Sequence, residues 1–255
     1  MRRNNPKIDK DKSVKLFLLA HQDDEVFLLP FIADSEKKLF IYLTNGSSNS
    51  SSISHQQKRT NEARETFKEI LMPLNAKVIW WGNQNGVSEG DLHKFANSNT
   101  IRSLLESISH YGTKVSKIYT TTFEGAHQDH DSAAVIARII RENLDCDLIE
   151  VSTYPQKFKR VYSFSVMTPK YKSINFDFER LKILRLAARL ILNYRTQWKT
   201  WLGLSPAVLF SYLFMPFYVA EPQVVQVLDK CFYDFRNRAK QEDVLCFLEN
   251  LEFKS

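Results

Sequence analysis

Residues 14–20 read VKLFLLA and are followed at 21–25 by HQDDE. The short apolar run predicts a strand buried on both faces, and a helix is predicted directly after it, over 25–33. Further strands are predicted at 39–44, 77–82 and 117–123, and helices at 101–109 and about 132–144. Strands that alternate with helices in this way indicate an α/β fold, with a doubly wound, mainly parallel sheet between two layers of helices.

The pattern changes near residue 146. Short strands are predicted at 148–152 and 160–168, followed by a basic helix at 177–193. We therefore expect one domain over 1–255, with a catalytic core at about 14–145. Residues 146–255 form an α+β extension that completes the pocket.

Composition excludes several classes of protein. An apolar fraction of 44% and a charged fraction of 25% are typical of folded domains and exclude a disordered, collagenous or coiled-coil chain. The three cysteines form no CxxC pair, and residues 1–15 carry no secretory signal. The longest apolar run, 209–220, contains a proline and is too short to span a bilayer. We expect a cytoplasmic protein.

Two polar stretches follow predicted strands and carry the candidate chemistry. HQDD occupies 21–24 after the first strand, and EGAHQDHD occupies 124–131 after the fourth. Ligands of such sheets bind beyond the carboxyl ends of the strands, so the two stretches are expected to meet. Two histidines and one carboxylate form a catalytic zinc set with a position left for water, whose pKa falls to about 7. The unused aspartate is the candidate base.

Each stretch alone has a simpler interpretation. Acidic residues favour the first turn of a helix, where they interact with its dipole, and this accounts for Asp23, Asp24 and Glu25 without any metal. The metal hypothesis depends on finding both stretches at the same edge of one sheet. His93 and His110 have no partner pattern around them and are expected on the surface.

Four segments resemble one protein family in the same order. They are AHQDDE at 20–25, LTNG at 43–46, the pair Arg59 and Glu62, and EGAHQDHDSAA at 124–134. They look like the PIG-L or LmbE-like family of zinc-dependent N-acetylglucosaminyl deacetylases, and the resemblance covers about 14–145. YRTQ at 194–197 and Glu221 resemble a later Tyr-x-Ser/Thr-Gln segment and glutamate of such proteins.

The resemblance implies a Rossmann-like fold and one zinc ion per chain, held by His21, Asp24 and His130. It also implies that Asp23 is the general base, which takes a proton from the attacking water and delivers it to the leaving amine. The departures from the family pattern affect pocket shape: glutamines stand at 22 and 128 where proline is usual, and Ala126 replaces a glycine.

Three further roles follow from the same resemblance. His127 stabilises the oxyanion, Asp129 holds or tunes His127, and Arg59 contacts the sugar or its phosphate. The alternative for Arg59 is a solvated helix arginine that pairs with Glu62, three residues away.

The resemblance implies hydrolysis of an N-acetyl group on an N-acetylglucosamine-type sugar or glycoconjugate, for example in polysaccharide biosynthesis. Two alternatives stay open: an amidase acting on another amino-sugar conjugate, and a noncatalytic sugar-binding or membrane-recruited scaffold of the same fold. The presence of Asp23 argues against a scaffold. A nucleotide-dependent oxidoreductase is disfavoured because GxGxxG does not follow the first strand, and no nucleic-acid-binding module is present.

Residues 177–199 carry six basic and two acidic side chains, with apolar residues between them at helical spacing. Together with the aromatic run that ends at 218, this pattern is compatible with a helix on the inner face of an anionic membrane. The favoured interpretation is a core-facing helix with a solvated basic face. The serine-rich segment 46–55 is either a lid over the pocket or a plain loop.

Overall fold

The computed structural model describes residues 13–47, 53–112, 114–153, 156–157, 160–161, 171–174, 180–214, 217–220 and 239–252. Its strands are β1 (Ser13–Leu19), β2 (Lys38–Tyr42), β3 (Ala76–Ile79), β4 (Lys114–Thr121), β5 (Asp147–Val151), β6 (Gln156–Lys157), β7 (Arg160–Val161), β8 (Tyr171–Ile174) and β9 (Phe217–Ala220).

The α-helices in this part of the chain are α1 (Leu29–Ile32), α2 (Ile53–Thr66), α3 (Trp81–Asn85), α4 (Leu92–Phe95), α5 (Ser98–Ser109), α6 (Gln128–Leu144), α7 (Arg180–Asn193), α8 (Trp198–Phe214) and α9 (Gln241–Glu252). A 3-10 turn, Asp24–Leu28, precedes α1, and a π-helical turn, Phe67–Leu71, continues α2. Among the described helices, none combines the length and the apolar character needed to cross a membrane.

The central sheet has the strand order β3-β2-β1-β4-β5-β9-β8. The first five of these strands are parallel, whereas β9 and β8 add to the edge in antiparallel orientation. In register, Leu16 of β1 lies between Leu39 of β2 and Ile118 of β4. The α/β fold with a mainly parallel sheet is confirmed, and the antiparallel edge strands come from the second part of the chain.

Alternate residues of β1 pack into two separate cores. Leu16 and Leu18 face a cluster that includes α5 and α6, whereas Phe17 and Leu19 face a cluster that includes α1, α2 and α7. Phe17 stacks between the neighbouring strands' aromatic rings, with its centroid 4.6 Å from Phe40 and 4.8 Å from Tyr119. Helices therefore cover both faces of the sheet, which explains why its first strand is apolar at consecutive positions.

The third strand is shorter than predicted. It ends at Ile79, and the residues predicted to complete it begin α3 instead. This helix packs directly on the chain after β2, since a Cβ at Gly82 would lie 2.4 Å from backbone atoms of Thr44. Only glycine permits that approach.

Other boundaries also differ. Helix α6 begins at Gln128, four residues before the predicted start, because the Nδ1 atom of His127 accepts a hydrogen bond from the backbone N–H of Asp129 and caps the helix. Of the predicted strand 160–168, only residues 160–161 are among the described residues, and they form β7. The serine-rich segment is described only up to residue 47 and from residue 53, where α2 starts, so the lid hypothesis falls largely outside the described residues.

The surface prediction is wrong for His93. Its imidazole is 4% exposed and makes an edge contact with the ring of Phe247, at a centroid distance of 5.9 Å. The cause is the packing of α9 against α4, which no local pattern around His93 reveals. His110 is exposed, as expected.

A buried ion pair joins α6 to β5. The carboxylate of Glu150 is fully buried and accepts hydrogen bonds from Arg138 Nε at 2.7 Å and Nη2 at 3.0 Å, and from the Thr122 hydroxyl at 2.7 Å. These donors replace the water that the carboxylate loses on burial.

Arg138→Met is expected to lower the free energy of unfolding by about 3 kcal/mol, because it leaves the carboxylate of Glu150 buried without its cation. Urea denaturation measures the loss. The control is Arg141→Met, which removes an exposed cation from the same helix and is expected to cost less than about 0.5 kcal/mol. Equal losses in the two variants would show that the ion pair is not the cause.

Candidate active site

The two polar stretches meet at the carboxyl ends of β1 and β4, which are neighbours in the sheet. His21 lies just after β1, and Asp24 begins the 3-10 turn that follows. His130 lies in the first turn of α6, so a helix rather than a loop presents it. The side chains of all three are buried.

Three donor atoms form a compact triangle. His130 Nε2 lies 3.1 Å from Asp24 Oδ1 and 3.2 Å from His21 Nδ1, and the His21 and Asp24 atoms lie 3.7 Å apart. Ligands at about 2.0–2.1 Å from a tetrahedral zinc ion are separated by roughly 3.3 Å, so the triangle has the dimensions of one face of such a site.

The remaining nitrogen of each imidazole has its own partner. His21 Nε2 lies 3.0 Å from Asp129 Oδ2, and His130 Nδ1 lies 3.1 Å from the Thr153 hydroxyl. Metal-binding histidines characteristically use their second nitrogen in this way, which orients the ring and fixes its tautomer. The residues present therefore fit a divalent metal ion.

The electrostatics of the site favour positive charge beside Asp24. Burial disfavours its ionisation, but the charges of His130 and His21 outweigh burial and hold the pKa of Asp24 well below its usual range. Burial also opposes protonation of His21, yet Asp24 is close enough to raise the pKa of His21 well above its ordinary value. Such an environment is also favourable for a metal cation.

Asp129 holds the ring of His21, one of the candidate metal ligands. Its carboxylate accepts hydrogen bonds from the backbone N–H groups of Gly90, at 2.6 Å, and Leu92, at 3.1 Å, besides its contact with His21. Burial works against the charge, but these bonds and the nearby histidines lower the pKa of Asp129 to about 2. The carboxylate thus holds His21, a contact that the predicted role for Asp129 did not include.

His127 lies beside the candidate metal ligands. Its ring makes an edge contact with His21 at a centroid distance of 4.6 Å and is only partly buried. His21, His127 and Asp129 form a second group whose ligand atoms all lie within 4.8 Å of one another. Both groups contain His21, so they lie next to each other at the same edge of the sheet.

Asp23 differs from its neighbours in the HQDD stretch because its side chain is partly exposed. Burial raises the pKa of its carboxyl group, and the positive charge of Arg59, with Nη2 at 3.6 Å from Asp23 Oδ1, opposes the rise. Asp23 is therefore more accessible than Asp24 to solvent or to a bound molecule, and it lies beside a cation.

Arg59 does not lie on a solvated face of α2. It is 4% exposed and bonds to Glu89 as well as approaching Asp23, so the interpretation as a solvated partner of Glu62 is wrong. Glu62 instead accepts hydrogen bonds from the backbone N–H and hydroxyl of Thr196. Glu89 was missed by the sequence analysis because it belongs to no motif and reaches the site only through the fold.

Residues 194–197 attach the second part of the chain to the site. The hydroxyl of Tyr194 donates to Glu25. With the amide of Gln197 oriented so that its oxygen faces Arg59, that oxygen accepts hydrogen bonds from Arg59 Nε at 2.6 Å and Nη1 at 3.0 Å. Thr196 binds Glu62, as described above. The predicted late glutamate, Glu221, lies outside the described residues.

Glu25 is a buried carboxyl group directly beside Asp24. It accepts hydrogen bonds from the hydroxyls of Tyr194 and, at 3.1 Å, Tyr42. Burial raises its pKa to about 8, and the two hydroxyl donors limit the rise. Glu25 therefore links the 3-10 turn to β2 and to the second part of the chain.

The side chains of the two unusual glutamines bond to neighbouring parts of the chain, one to helix α3 and one to the loop before α4. Gln22 donates to the Asn83 side chain at 3.1 Å, and Gln128 donates to the Gly90 carbonyl at 3.3 Å. Gln22 also restricts its surroundings, since a Cβ at Gly46, where φ is +72°, would lie 2.6 Å from Gln22 Oε1. Each glutamine thus anchors the chain at the residue directly after a histidine of the site, Gln22 after His21 and Gln128 after His127.

Gln197→Ala is expected to lower turnover by roughly tenfold or more, because Arg59 loses the amide that orients it beside Asp23. Steady-state kinetics with a substrate that the wild type turns over would measure the effect, with Gln57→Ala, an exposed position on α2, as the control. Equal rates for the two variants would show that the amide does not orient Arg59 for turnover.

Comparison with known proteins matches the part of the chain that contains the site. The family model PIG-L, described as GlcNAc-PI de-N-acetylase, matches residues 16–140. This region belongs to the PIG-L family. It contains all the candidate metal ligands and Asp23, whereas residues 194–197 lie beyond the matched PIG-L region.

Solved structures share the fold at low sequence identity. The A40926 pseudoaglycone deacetylase Dbv21 is 12% identical with a TM-score of 0.53, covering 75% of this chain and 85% of that one. The conserved protein TT1542 from Thermus thermophilus is 15% identical with a TM-score of 0.51, covering 84% and 97%. The zinc-inhibited form of the teicoplanin deacetylase Orf2 is 12% identical with a TM-score of 0.53, covering 82% and 96%. No curated protein matches the chain by sequence.

Proposed function

We propose that this protein is a zinc-dependent hydrolase that removes an N-acetyl group from an N-acetylglucosamine-type sugar or glycoconjugate. The observation that carries the proposal is the triangle of His21, Asp24 and His130 beside the accessible carboxylate of Asp23. The PIG-L match supports deacetylation of an amino sugar, and the deacetylases with the same fold support the reaction class.

In this proposal His21, Asp24 and His130 hold the zinc ion. When bound, zinc supplies Lewis acidity for the amide carbonyl and lowers the pKa of water toward about 7. Asp129 and Thr153 orient the two imidazoles through their second nitrogens.

Asp23 is the proposed proton carrier. Its carboxylate accepts the proton of the attacking water and delivers it to the amide nitrogen, so that the C–N bond breaks to release acetate and a free amine. Arg59 opposes the rise in the Asp23 pKa that burial produces, and so favours the ionised carboxylate that acts as the base.

The substrate is positioned by the remaining site residues. His127 donates a hydrogen bond to the oxyanion of the tetrahedral intermediate, a type of contact that strengthens as negative charge develops. Arg59 contacts the sugar or its phosphate from its place between Asp23 and Glu89. A substrate phosphate at this position would compete with Glu89 for the guanidinium.

The proposal is tested by elemental analysis of the purified protein together with an assay for free amine released from N-acetylglucosamine and its phosphate- and nucleotide-linked forms. We expect about one zinc ion per chain, because one site with three protein ligands binds one ion. We also expect release of acetate. Zinc without release from any acetylated sugar would favour an amidase for another conjugate. A protein that binds no metal would support the scaffold hypothesis.

A further inference from the structure

Helix α7 has two chemically different faces. At about 100° per residue, its buried side chains share one side of the helix and pack on the core, at Ile183, Leu186, Ala187 and Leu190. The opposite side is a stripe about 80° wide formed by Leu181, Arg185, Arg189 and Leu192. We call this stripe the basic face of α7.

The basic face combines exposed leucines with cations. Leu181 is 64% exposed and Leu192 is 73% exposed, which is unusual for a helix whose opposite side is fully packed. Single exposed apolar residues are common on proteins, but α8 begins with two more on one side, Trp198 at 58% and Leu202 at 69%. The α7–α8 segment therefore displays several large apolar side chains among its charges.

The charge of the segment has one sign. Residues 180–214 contain no Asp or Glu and six cations, which are Arg180, Lys182, Arg185, Arg189, Arg195 and Lys199. Four of them line a groove of about 610 Å³, whose other lining residues include Ala33, Leu74 and Leu181. The groove therefore combines apolar and basic side chains, and none of the described residues that line it is a carboxylate.

We propose that the basic face of α7 docks on the surface of an anionic phospholipid bilayer. Its cations are opposite in charge to the headgroup phosphates and attract them. Its exposed leucines reach the boundary between headgroups and acyl chains. This combination distinguishes a membrane-surface helix from an ordinary solvated helix, whose exposed face carries cations without large exposed leucines beside them. The proposal does not depend on the chemistry of the metal site.

Docking would place the site close to the bilayer. Helix α7 leads directly into residues 194–197, whose side chains bind Glu25, Glu62 and Arg59. The membrane contact and the candidate active site are thus connected by four residues of chain.

Vesicle co-sedimentation of the full chain tests the proposal. Vesicles of phosphatidylcholine with about one-third phosphatidylglycerol are compared with pure phosphatidylcholine at low salt. We expect binding to the anionic vesicles only, and weaker binding as salt rises, because salt screens the charges.

The decisive variant is Arg185→Glu with Arg189→Glu. Each cation near an anionic surface contributes roughly a factor of five, so the partition coefficient of this double variant should fall by at least about twenty-fivefold. The control, Arg64→Glu with Arg102→Glu, makes the same change of net charge at exposed positions on α2 and α5 and should bind like the wild type. Leu181→Ser with Leu192→Ser leaves the charge unchanged and is expected to weaken binding by roughly tenfold.

Three results would overturn the proposal. The first is no binding of the wild type to anionic vesicles, or equal binding to both kinds of vesicle. The second is equal losses in the Arg185/Arg189 variant and in its control. The third is a wild-type dimer that binds no vesicles and that the Arg185/Arg189 variant dissociates, since a second copy of the chain would then cover the face.

Discussion

His130→Ala is expected to lose bound zinc and to lower turnover by at least about a hundredfold. Replacing groups that merely orient metal ligands costs tenfold to a hundredfold in affinity or activity, so removing a ligand should cost no less. His130 supplies one corner of the triangle, with Nε2 at 3.1 Å from Asp24 and 3.2 Å from His21. Elemental analysis and amine release measure the two losses separately.

The control is His110→Ala, which removes an exposed imidazole at the end of α5 and should leave both zinc content and rate unchanged. A second variant, His130→Gln, keeps polar bulk in the buried position and guards against loss of the fold. If a folded His130 variant retains a full complement of zinc, His130 is not a ligand.

Asp23→Asn is expected to keep zinc and to lower turnover by roughly a hundredfold to ten-thousandfold, the range for loss of a general acid–base group. The amide has nearly the shape of the carboxylate but cannot accept and deliver the proton. Its side chain contacts Arg59 without belonging to the metal triangle, so metal content should not change. The two variants therefore separate metal binding from proton transfer.

A matched control is Asp147→Asn, since Asp147 also lies near one basic residue, Lys117, but is exposed at the start of β5. It should have wild-type turnover. An Asp23→Asn protein with a near-normal rate would remove the assignment of Asp23 as the base, whatever its zinc content.

Much of this site could be predicted because its chemistry lies in short segments next to strand ends. A buried strand followed by HQDD, and a second strand followed by a stretch with two histidines, place His21, Asp24 and His130 together once both strands belong to one parallel sheet. The alternation of strands and helices was sufficient to predict that sheet. The predicted roles of Asp23, His127 and Asp129 remain predictions, and the kinetics of Asp23→Asn test the first of them.

Long-range partners could not be predicted in the same way. Asp129 bonds to the His21 ring, 108 positions away, and Arg59 bonds to Glu89 and to Gln197. Nothing in the local sequence of Arg59 distinguishes a buried arginine of a site from a solvated one. Its environment depends on how α2, the loop before α4 and residues 194–197 pack around it.

The sequence by itself determined the α/β class, the mainly parallel direction of the strands and the residue types available at their carboxyl ends, because apolar periodicity and short-range spacing are local properties of the chain. Only the tertiary structure decided that Asp129 holds the ring of His21, that Glu25 and Glu89 border the site, and that the basic face of α7 exposes its leucines. Burial and hydrogen-bond partners depend on which distant elements pack together, and that information is not contained in any single segment.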